Sequence, residues 1–106
     1  MTIDERKKRF EQEFQHEQEL LFKVKARRNR LFAEWVVELL ELSENRSLTY
    51  IKEMINFALS HDGEQKAIEK AKEDFAKHNI EITEHKIEKE YALAFEKAKD
   101  EIHKEG

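Results

Sequence analysis

The sequence predicts an all-α protein, a four-helix bundle with one long N-terminal helix and a frayed or disordered N-terminal segment. Three observations carry that expectation. Proline is absent and glycine occurs only at Gly63 and Gly106, too few turn-formers for a sandwich or barrel. Glu, Lys, Ala and Leu are the commonest residues, and these lose little rotamer freedom in a helix. Apolar residues recur at helical spacing through most of the 106 residues, a length suited to one core.

Charged residues make up 42% of the chain, which by itself would suggest disorder. Leu, Ile, Val and Phe together supply 27 residues, about a quarter, enough for a modest bundle core. The charges are mixed in sign and suit solvated helix faces. Their distribution is uneven: residues 1–30 carry a balance of +3 and residues 31–106 one of -7. With no cysteine there is no disulfide or thiolate chemistry, which fits a reducing cytoplasm. No apolar run approaches the ~20 residues that span a bilayer, so no membrane insertion is expected. The charged stretch Met1–Phe10 does not read as a signal peptide.

The first helix is expected from about Asp4 to Leu42. On a helical wheel with Lys23 at zero, Leu21, Val24, Leu31, Trp35, Leu39 and Leu42 fall at roughly 80–160°. Phe10 and Phe14 extend that stripe toward the N-terminus. From Leu31 the apolar side widens to include Phe32, Val36 and Leu40, and Trp35 reads as a core anchor. Before Leu20 the large apolar residues are only Met1, Ile3, Phe10 and Phe14. So sparse a helix offsets its ordering entropy poorly. Residues 1–19 are therefore expected as a flexible, partner-binding segment, and 20–106 as the bundle domain.

Ser43–Ser47 is a polar break, with Ser47 a candidate N-cap for a second helix carrying Leu48, Ile51, Ile55 and Leu59. His61-Asp62-Gly63 reads as a turn, and Asp62 with Gln65 resembles a capping box. The third helix carries Ile68, Ala71 and Phe75 to about His78, where Asn79 suits a left-handed cap. Ile80-Glu81-Ile82 is an extended link. Thr83 caps a fourth helix with a narrow stripe of Ile87, Tyr91, Phe95, Ala98 and Ile102.

Catalytic signatures are missing from this pattern, so no enzyme is expected. There is no Gly-rich phosphate loop, glycine-flanked serine or paired-histidine helix. His16, His61, His78, His85 and His103 are scattered. Glu81, His85 and Glu88 share helical edges, but two such groups do not close a metal site, and no cofactor is expected.

The run Lys23-Val-Lys-Ala-Arg-Arg-Asn-Arg30 places five positive charges in eight residues. Lys23, Arg27, Arg28 and Arg30 are candidate anion-binding residues, and a solvated helix face is the plainer reading. Arg28 departs from that reading because it falls inside the apolar stripe. There it needs a structural ion pair with another helix, or a partner or anionic ligand. Nucleic acid is disfavoured by the acidic body and a sequence pI of about 5.8; a nucleotide is left open. Phe22 lies off the main stripe, either covered by a second helix or exposed as a contact.

Asp4, Arg6, Phe14, His16, Glu19-Leu20, Phe22-Lys23, Ala26-Arg27-Arg28-Asn29, Leu31 and Trp35, taken together, resemble the signature of the alphaproteobacterial ATP synthase zeta subunit. The similarity is strongest over residues 4–40. It is weaker around Asp74-Phe75 and Thr83-Glu84-His85, although the order and length of the chain agree. The resemblance implies a four-helix inhibitor of F1 hydrolytic activity, in the cytoplasm and peripheral to the membrane-bound synthase. Its N-terminal segment would enter a catalytic interface between the α and β subunits near γ. In this sequence Phe10 and Phe14 would anchor it, Arg6, Lys7, Lys8 and Arg9 would meet acidic surface, and His16 and Phe22 would extend the contact. The alternatives are a small helical adaptor or self-associating bundle, motivated by the broad apolar side of residues 31–42, and a weak nucleotide or nucleic-acid binder through Lys23–Arg30.

Overall fold

A computed structural model describes the backbone of residues 3–105 and the side chains of residues 16–105. It contains four helices, α1 (Ile3–Leu40), α2 (Glu44–Phe57), α3 (Gly63–Lys77) and α4 (Glu84–Glu105). The four pack as a bundle, as the sequence predicts. α1 packs mainly on α2 and α4, and its partners at successive turns show that α4 runs antiparallel to it. Arg27 meets Glu101 and Glu105, whereas Phe32 meets Tyr91.

Helix ends follow local chemistry. α1 stops at Leu40 because Glu41 turns left-handed (φ 54°). The Leu42 amide then bonds back to Val37 O and the Glu41 amide to Glu38 O, the two bonds of a Schellman cap. α3 ends the same way, with Asn79 at φ 56° and the Ile80 amide reaching Phe75 O at 2.9 Å. In both, the residue after the left-handed one, Leu42 or Ile80, packs on the core. Thr83 caps α4, its hydroxyl accepting from the Lys86 amide at 3.1 Å.

Three expected boundaries are corrected. α1 is shorter than the predicted limit at Leu42. The N-cap of α2 is Ser43, whose hydroxyl accepts from the Arg46 amide, and not Ser47. The Ser47 hydroxyl instead donates back to Leu42 O. Asp62 does occupy the cap position of α3, but it makes no side-chain cap bond and forms no capping box with Gln65. Its carboxylate pairs with Lys66, and Gln65 donates to Glu69.

The core contains Phe32, Val36, Met54, Ala71, Phe75, Ile87 and Tyr91. Tyr91 meets Phe32 edge-on, with centroids 4.9 Å apart, and Phe75 meets Trp35 at 5.6 Å. Trp35 is partly buried against this core. The buried face of α1 matches the predicted stripe only in part. Val24 is buried, but Leu21 and Leu39 are 46% and 41% exposed. Phe32, Val36 and Leu40 point inward as expected, and Asn29 and Ala33 join them. Small residues explain the departure: Ala33 on α1 and Ala94 and Ala98 on α4 are buried and let backbones approach where leucines would hold them apart.

Gly63 begins α3 hard against the end of α2. A Cβ built there would lie 1.7 Å from the Phe57 carbonyl oxygen, a backbone atom that cannot swing aside. Gly63→Ala is expected to lower stability by about 2–3 kcal/mol, the scale of overpacking a tight site, read as a fall in thermal midpoint. Glu41→Gly should act in the opposite direction, raising stability by about 1 kcal/mol through relief of the left-handed strain.

Candidate functional site

Two regions of α1 bear on function, a buried polar hub and the helix that continues past it. The hub is set by consecutive residues. Asn29 is wholly buried, its Nδ2 donating to Met54 O of α2 at 2.7 Å. Its Oδ1 accepts from the Tyr91 hydroxyl of α4 at 2.7 Å and from Arg28 Nε at 3.1 Å. One amide thereby ties three helices together. Burial pushes the Tyr91 hydroxyl up to about 12, opposed in part by the Arg28 charge.

Arg28 is 7% exposed. The ion pair expected for it is not formed among the described residues. Its guanidinium carbon lies 4.4 Å from the centroid of the Tyr91 ring and 5.6 Å from that of Phe95. The charge is therefore accommodated by aromatic faces and one hydrogen bond, an arrangement suited to a planar cation. Its neighbour Arg27 makes the ion pairs, at 2.8 Å to Glu101 and 2.9 Å to Glu105. The hydrogen bonds that Arg27 donates to Glu105 and Glu101 raise its pKa further.

The basic run consequently does not form one free surface. Arg27 is engaged by two carboxylates, Arg28 is inside, and Arg30 lies 3.5 Å from Glu34. Lys23 alone of the four candidates is exposed without an ion pair among the described residues.

Beyond the hub the helix leaves its neighbours. Every residue from His16 to Lys23 is exposed, while the backbone continues as α1 to Ile3. Leu20, Leu21 and Phe22 are 37%, 46% and 45% exposed. Successive residues on a helix point about 100° apart, so these three spread apolar surface over about 200° of the rod. Of the two readings for Phe22, exposure is the one observed. His16 is likewise exposed. The side chains of Arg6, Lys7, Lys8, Arg9, Phe10 and Phe14 lie outside the described residues.

No helix among the described residues is long and apolar enough to cross a membrane, and no three His, Cys, Asp or Glu side chains are grouped to hold a metal ion.

A family model described as ATPase inhibitor subunit zeta matches residues 1–101, nearly the whole chain, and the chain belongs to that family. Neither the curated proteins nor the solved structures give a match.

The hub makes two measurable demands. Asn29→Ala would leave Met54 O without its donor and the Tyr91 hydroxyl without its acceptor; a loss of about 2–4 kcal/mol is expected in denaturant unfolding. Tyr91 holds its proton more tightly folded than unfolded. Its contribution is thus complete below the ordinary tyrosine range and is lost as pH rises from about 10 to about 12. Stability should fall across that window, and Tyr91→Phe should flatten the fall. Burial also raises the Tyr50 pKa, so Tyr50 supplies the remaining slope.

Proposed function

We propose that this chain, as a member of the ATPase inhibitor subunit zeta family, restrains ATP hydrolysis by the F1 sector of ATP synthase. The inhibitory element is the N-terminal part of α1, acting at a catalytic α/β interface near γ. The observation that carries this reading is the exposure of α1 on all sides from His16 to Lys23, with Leu20, Leu21 and Phe22 uncovered. A helix standing clear of its own bundle with three large apolar side chains uncovered suits insertion into a groove, where helices are read through anchors at i, i+4 and similar spacings.

The chemistry runs along the segment. Arg6, Lys7, Lys8 and Arg9 form a continuous basic block, which meets acidic surface and speeds encounter at low salt. Phe10 and Phe14 stand one turn apart as apolar anchors, each worth about 1.5–3 kcal/mol when fully buried. His16, Leu20 and Phe22 extend the contact toward the bundle. No step here requires covalent chemistry. A helix wedged at an interface that must open and close during rotation holds it in one state, and the bundle keeps the rest of the chain outside. Anion binding by Lys23, Arg27, Arg28 and Arg30 has weaker support, since two of the four face carboxylates and one is buried.

Deleting residues 1–19 is the decisive experiment. The shortened chain should keep its helical circular dichroism and melt cooperatively, yet fail to inhibit hydrolysis by purified F1. Retained inhibition by a folded shortened chain would remove the proposal. In the full chain, Phe10→Ala and Phe14→Ala should each weaken inhibition roughly 10-fold or more, the scale of losing an aromatic anchor. Leu59→Ala, at a residue 70% exposed in the turn after α2, should leave inhibition unchanged.

A further inference from the structure

A groove of about 310 Å³ runs between α1 and α4 above the Arg27–Glu101 pair. Its floor is apolar: Leu31 and Trp35 are partly buried, Ala94 lies beneath, and Leu93 is 51% exposed. Its charges are ordered along the axis. α1 and α4 are antiparallel, so Glu38 of α1 and Glu90 of α4 stand at one end and Lys97 of α4 at the other. Glu34 is occupied by Arg30 and Glu90 by Lys86. Glu38 and Lys97 make no ion pair among the described residues. From one end to the other the groove thus reads acidic, apolar, basic.

The chain contains a segment with the complementary order. Arg6–Arg9 is basic, Phe10 and Phe14 are apolar with Glu11 and Glu13 between them, and Glu17 and Glu19 follow as an acidic end. Phe10 and Phe14 are one turn apart, about 6 Å along a helix, the same separation as Leu31 and Trp35. With its basic end at Glu38 and Glu90, the segment runs antiparallel to α1 and sets Phe10 near Trp35 and Phe14 near Leu31. A continuous α1 cannot fold back onto its own bundle in this direction without breaking. A second copy reaches the groove with α1 intact.

We propose that the α1–α4 groove docks the N-terminal segment of a second copy of this chain, so that two copies pair reciprocally. The two-fold arrangement closes, because each copy offers one segment and one groove. The consequence rests on the function proposed above: in the pair the inhibitory segments are covered, and the inhibitor acts as the monomer. Self-association then stores it in a reversible, concentration-dependent form.

Sedimentation equilibrium of the full chain tests this without F1. A reversible dimer is expected, with Leu93→Glu and Phe14→Glu each raising its dissociation constant at least ~10-fold. Glu38→Lys should weaken it, and Arg9→Glu in the same chain should recover part of the loss. Leu93 and Glu38 are exposed, and circular dichroism should show both variants folded. A chain that stays monomeric at every concentration overturns the proposal, as does a dimer indifferent to these changes or binding of the groove by another protein alone. Leu93→Glu should inhibit F1 at least as well as the unmodified chain, so failure of the pairing and failure of the inhibitory function are read separately.

Discussion

The amide of Asn29 has no access to water, and this constraint organises the rest of the molecule. Its oxygen and nitrogen need partners inside the protein, and those present belong to α2, α4 and the adjacent arginine. Met54 O and the Tyr91 hydroxyl must therefore arrive at the same level of α1. That fixes the register of two helices that an alanine-rich interface would leave free to slide. A buried polar group left half-satisfied costs more than a neutral contact contributes. The hub consequently discriminates among packings that similar apolar contacts would make nearly equal in energy.

Once Tyr91 is placed, its ring offers a face to Arg28 and an edge to Phe32. The cation and the core aromatic share one residue, so the polar and apolar parts of the bundle are not separate structures. Arg27 then faces the last turns of α4, where Glu101 and Glu105 hold it. Partly exposed pairs of this kind contribute modestly to stability, and their position matters more than their strength. They close the lower end of the α1–α4 seam just where α1 emerges.

Much of this architecture was legible in the sequence, and the parts that were not share a cause. Asn79 and Thr83 act as expected because their side chains or backbone preferences decide the local geometry. Glu41 was not legible: glutamate has no preference for a left-handed conformation, and tertiary packing of Leu42 imposes it. The place of Asn29 on the buried face of α1 was not legible, because it counts as polar on a helical wheel although it is central to the core. Leucines were weighted above Ala33, whose small size permits close approach. The partners of Arg27 lie 74 residues or more away along the chain, beyond anything spacing can reveal. Arg28 stands out in the sequence, but the aromatic faces that receive it in place of an ion pair leave no charge signature. For the candidate site, the sparse apolar content before Leu20 was readable from composition; the exposure of Phe22 depended on where α4 ends.

The bundle spans about 24 Å by 20 Å across an overall length of 63 Å, and α1 passes from naked rod to jacketed rod between Lys23 and Val24. On the mode of action proposed above, that change of girth would serve as a depth stop. A cleft wide enough for one helix admits the chain as far as Lys23 and no further, because the end of α4 with Glu101 and Glu105 flanks the next turn. The length of rod offered to any receptor, about 30 Å at 1.5 Å per residue, is thus metered by the helix that never enters it.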